Sequence, residues 1–152
     1  MKYSTALRDS GRRRIERLGS ADLLVGIPCY NNDEAIDHVV RAVETGLSRY
    51  FPKMRSIVII SDGGSVDDSR DIANAAEVTP WVERIVMIYR GVPGKGSAVR
   101  AIFEAAEIVR AKAVLIFDAD LRSISPEWIK AMADPVMNGT YDFVAPYYKR
   151  YK

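Results

Sequence analysis

Ala113-Val114-Leu115-Ile116-Phe117-Asp118-Ala119-Asp120 is an apolar run that ends in two carboxylates. A strand buried on both faces reads as a near-continuous apolar run. A strand that stops at acidic residues presents them at the rim of its sheet. Both carboxylates serve one ion if the chain turns right after Asp118, or if Asp120 acts through water. Hard divalent cations take oxygen ligands, and Mg2+ is commonly held by one or two carboxylates plus substrate phosphates. The stretch therefore points to a metal-diphosphate. Asp-x-Asp alone occurs by chance in many loops, and its weight here comes from what precedes it.

Working outward, strands and helices alternate. Asp22–Pro28 and Ser56–Ser61 are apolar runs read as strands, and Arg84–Tyr89 is a third. Between the first two, Ile36, Val39, Val40, Val43 and Leu47 repeat at helical spacing within Asp33–Arg49. Asp67 opens a helix to about Ala76, with Asp67 and Asp68 complementing its macrodipole. Ser97–Arg110 carries Val99, Ile102, Phe103, Ala106 and Val109 on one stripe. Ser125 as N-cap and Pro126 at the first helical position start another helix. Asp142–Ala145 is read as a fifth strand. This order implies an α/β fold, a three-layer α/β/α sandwich around a mainly parallel, Rossmann-like sheet. Ligands of such sheets bind at the carboxyl ends of the strands, near a topological switch point.

Bulk properties narrow the partners. A chain of 152 residues, 48% hydrophobic and 28% charged, suits one soluble domain with a real core. A net charge of +2 argues for neither nucleic acid nor a membrane surface. No stretch reaches the roughly 18–20 apolar residues of a membrane span. Arg12-Arg13-Arg14, with Arg8 and Arg17, is read as the solvated face of a basic N-terminal helix or extension over residues 1–20. A partner or anionic head-group contact is the lesser alternative. The single cysteine, Cys29, excludes an intrachain disulfide and fits a reducing, cytoplasmic location. It is read as a small buried residue, not a nucleophile. The single histidine, His38, has no triad or zinc partners nearby and is read as structural.

The chemistry gathers in four loops. Pro28-Cys29-Tyr30-Asn31 follows the first strand, with Glu34 in reach, although Asp33 is also a helix-cap candidate. Asp62-Gly63-Gly64-Ser65 follows the second, where Asp62 either contacts a base or ribose or caps a turn. Gly94-Lys95-Gly96 opens a helix, so its N–H groups and the Lys95 charge suit a diphosphate, a solvated turn being the equal alternative. It is neither a P-loop nor a dinucleotide fingerprint, because Lys95 precedes Gly96 and Val99 stands where a third glycine belongs. Tyr147, Tyr148 and Tyr151 either line a cleft or serve a core or interface.

Taken in order, VGIPCYNNDEAI, IVIISDGGSVDDS, GVPGKGSAVRAIFEAAE and VLIFDADL resemble the nucleotide-sugar half of GT-A glycosyltransferases of family 2. They are also similar to the related glucosyl- and mannosyl-3-phosphoglycerate synthases. The resemblance covers about Leu23 to Leu121, and Phe143–Arg150 is similar to a segment in this group. It implies a nucleoside-diphosphate sugar donor (UDP- or GDP-linked), an acceptor hydroxyl and a divalent Mg2+ or Mn2+. Pro28, Tyr30, Asn31 and Glu34 would surround the nucleoside, with Asp62 and Gly63 at the base. Gly94 and Lys95 would approach the diphosphate. Asp118 and Asp120 would be the Asp-x-Asp pair, Asp120 the direct metal ligand.

The resemblance also implies an acceptor site and catalytic base beyond this region. Residues 21–146 are thus the donor-binding domain and 147–152 a tail leading toward an acceptor-binding region. Asp134 and Asp142 are carboxylates in no base-like context. Two alternatives stand beside this reading: a nucleotide- or partner-binding domain without catalysis, and a sugar nucleotidyltransferase, whose usual glycine-rich basic loop is replaced here by Pro28–Asn31. Exposed apolar residues from Phe143 to Tyr151 would favour self-association.

Overall fold

The computed structural model describes residues 4–147. Tyr148 and Tyr151 lie outside the described residues. The elements in chain order are α1 (Asp9–Leu18), β1 (Leu23–Cys29), α2 (Ile36–Tyr50), β2 (Ser56–Asp62), α3 (Ser69–Ala75), β3 (Glu83–Ile88), α4 (Lys95–Ile108), β4 (Ala113–Ile116) and α5 (Pro126–Met137). The four strands form one all-parallel sheet in the order β3-β2-β1-β4. Leu23 of β1 pairs with Ser56 of β2 on one side and Ala113 of β4 on the other. The chain thus builds outward through β2 and β3, then returns to the far side of β1. That reversal makes β1 and β4 the switch point.

Alternation along the strands sends side chains to two cores. Val25, Ile27, Val58, Ile60 and Leu115 face α2, α3 and α5, meeting Val39, Val43, Ala73 and Ile129. Leu24, Ile57, Ile59, Ile85 and Met87 face α1 and α4, meeting Ile15, Ala101, Ile102 and Ala105. This is the expected three-layer sandwich. Gly26 decides how closely α4 lies on the sheet, since a Cβ there would sit 2.4 Å from Ile102 Cγ2.

The basic N-terminal helix presents Arg13 and Arg17 to solvent and buries Ile15. Its segment also covers the outer edge of the sheet. Arg14 Nη1 donates to the Val86 carbonyl at 2.8 Å, Arg8 Nε to Tyr89 O at 3.2 Å, and Arg90 N–H to Ala6 O at 2.7 Å. Edge carbonyls that would otherwise be open to another strand are thereby occupied.

The other edge differs from the sequence expectation. Asp142–Ala145 forms no strand, and the sheet of the described residues stops at β4. The Thr140 and Tyr141 N–H groups both turn back to Pro135 O at 3.0 Å. The segment 142–146 then runs along β4 without ladder bonds, flanking a cleft of about 460 Å³. The run is short, Pro146 has no N–H to donate, and Phe143 remains 81% exposed, so no burial drives pairing. α5 starts at Pro126 as the sequence implies, whereas α3 starts at Ser69, two residues after Asp67. Ser125 occupies the N-cap position of α5 without a side-chain cap, its hydroxyl serving the Glu127 carboxylate. At α3 the helix-start acceptor is Asp67, which takes the Ser69 N–H at 3.1 Å.

Candidate functional site

At the carboxyl ends of β1 and β4 lies an open crevice of about 630 Å³. Its position follows from the strand order, since neighbouring loops diverge where the direction of winding reverses. One wall is Pro28, Cys29 and Tyr30 at the end of β1. The opposite wall is Asp118, Ala119 and Asp120 beyond β4. Gly63, Tyr89 and the Pro93–Lys95 turn complete it.

The acidic wall forms because β4 ends at Ile116. The Phe117 N–H still reaches Gly26 O at 3.1 Å, and the Leu121 N–H then folds back to Asp118 O at 3.3 Å. The turn after Asp118 anchors Phe117 and Ala119 in the core and leaves Asp118 and Asp120 exposed in the crevice. Lys95, the first residue of α4, reaches across so that its Nζ lies 2.5 Å from Asp118 Oδ1. Asp120 makes no hydrogen bond or ion pair with its side chain among the described residues. Two carboxylates in an open crevice are an all-oxygen donor set of the kind Mg2+ or Mn2+ takes. Among the described residues no group of three acidic, histidine or cysteine side chains could hold a metal. The pair therefore fits an ion whose remaining ligands come from substrate phosphate and water.

Other residues from the sequence reading take supporting places. Asp62 is fully buried, and its Oδ1 accepts the Gly64 and Ser65 N–H groups at 2.8 and 2.7 Å while Oδ2 accepts the Ser65 hydroxyl at 2.5 Å. Arg70 Nε stands 3.7 Å from the same carboxylate. Asp62 thus shapes the turn that puts Gly63 on the crevice wall. Asn31, at φ 52°, accepts the Val66 N–H through Oδ1 at 3.0 Å and ties the first loop to the second. Glu34 is on the outer rim, 2.9 Å from Arg122 Nη2. Asn31, Glu34 and Asp62 do not line the crevice; Pro28, Tyr30, Gly63, Gly94, Lys95, Asp118 and Asp120 do.

Sequence reasoning missed Asn32, Tyr89, Pro93 and Ala98 as lining residues. Tyr89 closes an apolar strand run, where nothing in the sequence sets it apart from its neighbours. Pro93 and Ala98 flank Gly94-Lys95, so their proximity in sequence was the available signal. Cys29 sits at the floor with its thiol pushed up to about 12, chiefly by burial and then by the Asp62 charge. It stays protonated at neutral pH, in line with a structural reading. His38 is exposed on α2 and is not a lining residue. Asp134 pairs with Lys130 on α5, and Asp142 lies on the cleft beside β4; neither faces the crevice. Tyr147 is 92% exposed and not at the crevice.

The four-stranded parallel sheet with helices on both faces matches the Rossmann-like GT-A class of fold. The sequence matches "Glycosyl transferase family 2" over residues 24–152, and the chain belongs to that family. Among solved structures it is similar to glucosyl-3-phosphoglycerate synthase from Mycobacterium tuberculosis in complex with Mn2+, UDP-glucose and phosphoglyceric acid. There the TM-score is 0.57 at 20% identity, over 90% of this chain and 46% of that one. The same enzyme with UDP gives a TM-score of 0.59 at 19% identity, over 91% and 47%. Mannosyl-3-phosphoglycerate synthase from Rubrobacter xylanophilus gives 0.57 at 21% identity, over 82% and 38%. This chain therefore spans less than half the length of these structures. A comparison with curated proteins gave no match. Among the described residues no helix is long and apolar enough to cross a membrane.

Proposed function

We propose that this chain is the donor-binding part of a metal-dependent glycosyltransferase that moves a sugar from a nucleoside-diphosphate sugar to an acceptor hydroxyl. The observation that carries this reading is the meeting of Lys95 with Asp118, beside an unpaired Asp120, in the β1/β4 crevice. Family membership and the Mn2+ and UDP-glucose named for the M. tuberculosis enzyme support it.

In this reading Pro28 and Tyr30 flank the nucleoside. The Asp62–Ser65 loop meets the base, with Gly63 at the surface and Asp62 beneath it. Asn31 and Glu34 support the loop from behind and from the rim. Gly94 and Lys95 hold the diphosphate, Lys95 leaving Asp118 for a phosphate oxygen. Asp120, with Asp118, would hold the divalent ion as the Asp-x-Asp motif. When bound, Mg2+ or Mn2+ supplies Lewis-acid stabilisation of the leaving diphosphate. Residues 21–146 form the donor domain, residues 1–20 a basic N-terminal extension that carries α1, and 147–152 the start of the path toward an acceptor region. A cytoplasmic setting accords with the single cysteine, which leaves no intrachain disulfide to form.

The test is calorimetric titration with UDP and GDP, with and without Mg2+ or Mn2+, on the wild type and Asp120→Ala. Metal-dependent binding abolished by Asp120→Ala supports the reading and gives the base preference. Binding to neither nucleotide counts against it. A second reading, nucleotide binding without sugar transfer by this chain, is favoured by one observation: Asp118 and Asp120 are the only carboxylates lining the crevice among the described residues. Metal-dependent UDP or GDP binding without hydrolysis or transfer from the corresponding sugar nucleotide would support it. Self-association is also proposed, resting on the exposed Phe143 beside the edge of β4; a monodisperse monomer in sedimentation counts against it.

A further inference from the structure

We propose that Tyr89 is a positioning residue for the diphosphate, its hydroxyl setting the turn that delivers Lys95. This rests on the donor-site reading above. Tyr89 follows β3, and its N–H extends the ladder to Asp62 O at 3.2 Å, so its backbone is held by the sheet. Its ring is buried, with the hydroxyl at the crevice. That hydroxyl accepts the Gly94 N–H at 2.9 Å and donates to Gly94 O at 3.2 Å.

Both backbone polar groups of one glycine are therefore held by one side chain. Gly94 needs that restraint, because it sits at φ 140°, ψ 162°, a conformation open to glycine and to few others. Its carbonyl also receives the Ser97 and Ala98 N–H groups at 3.2 and 3.3 Å, the first bonds of α4. The hydroxyl thus fixes the point where the loop becomes helix, one residue before Lys95. The hydrogen bonds of this hydroxyl go to Gly94 and not to the Gly63 loop proposed to meet the base. A tyrosine that only filled the core would have no reason to place its hydroxyl on this turn, and phenylalanine would serve as well.

The test uses Tyr89→Phe, which keeps the ring and removes the clamp. UDP with Mn2+ is titrated into wild type, Tyr89→Phe, Lys95→Ala and the double variant, and uridine alone is titrated by NMR. Losing the two hydrogen bonds should weaken UDP binding about five- to twentyfold. Uridine binding should be unchanged, and Lys95→Ala should cost less in the Tyr89→Phe background than in wild type, as for coupled groups. Equal UDP binding by wild type and Tyr89→Phe overturns the inference and leaves the donor site standing. Equal loss for uridine and UDP assigns Tyr89 a general structural role and also overturns it. Failure of wild type to bind UDP overturns the donor reading and this inference together.

Discussion

Lys95 Nζ and Asp118 Oδ1 are 2.5 Å apart, joining the start of α4 to the end of β4 across the mouth of the crevice. Both side chains are half-exposed or more, so the pair contributes little to folding stability. Its consequence is electrostatic. Without ligand, the lysine neutralises one carboxylate of the acidic pair. In the proposed donor site a metal-diphosphate would supply a cation for Asp118 and an anion for Lys95, and each would exchange its partner.

This exchange predicts opposite effects for one substitution. Lys95→Ala should strengthen the binding of Mn2+ alone, by up to about fivefold, because Asp118 loses a competing cation. The same substitution should weaken Mn2+-dependent UDP binding by about tenfold or more, since a charge-assisted contact to phosphate is lost. Electron paramagnetic resonance of free Mn2+ and calorimetry with UDP read the two signs separately. Parallel changes in both would mean that Lys95 and the metal ion do not compete for Asp118.

Packing beneath the site should matter as much as the site. Gly26→Ala would place a Cβ 2.4–2.8 Å from three side-chain atoms of the fully buried Ile102. Such overpacking costs about 1–3 kcal/mol. It should lower the melting temperature and, by pushing α4 outward, reduce UDP affinity. Ile102→Ala removes all three clashing atoms, so the double variant should be more stable than the sum of the single changes predicts.

A buried ion pair holds α3 against the sheet. Arg84 Nε lies 2.5 Å from Oε1 of the fully buried Glu44, and its Nη atoms donate to Ala73 O and Ala76 O at 2.6 Å. Arg84→Ala would leave Glu44 buried without its partner, at a cost of about 3–5 kcal/mol. Arg84→Met with Glu44→Leu, which removes both charges and keeps volume, should recover much of that. Chemical denaturation of the three proteins decides it; equal stability of wild type and Arg84→Ala would contradict the role given to the pair.

Acid should act through Glu104. Burial alone would raise its carboxyl, but the Thr5 hydroxyl, the Ala6 N–H and Arg100 outweigh it and hold the group below its ordinary 4.5. A depressed folded-state value gives stability that is fully present above the unfolded value and is lost as pH falls through the folded one. The wild type should therefore lose more stability below pH 4.5 than Glu104→Gln does, with the N-terminal segment loosening first. Asp22, lowered by the Lys112 ammonium and the Arg55 N–H, adds in the same direction. Melting temperatures of both proteins from pH 7 to pH 3 test this.

The sequence by itself determined the local elements and the chemical types at their ends. The apolar runs became β1, β2, β3 and β4 within one or two residues at each end, because strand and helix periodicity is written in neighbouring residues. Asp118, Asp120 and Lys95 were legible as polar residues at element ends for the same reason, and the structure brings them to one crevice. Their loops follow strands, and parallel strands deliver such loops to one rim. Only the tertiary structure decided which loops face one another. The order β3-β2-β1-β4 sets β4 beside β1, and that pairing joins Asp118 to Lys95 through contacts distant in sequence. It also turned the Asp62 carboxylate inward, because the Gly64 and Ser65 N–H groups claim it, and brought the Tyr89 hydroxyl to Gly94. The expected fifth strand failed on the same ground: Asp142–Ala145 lies beside the free edge of β4, but a strand also needs a covered face, and Phe143 has none.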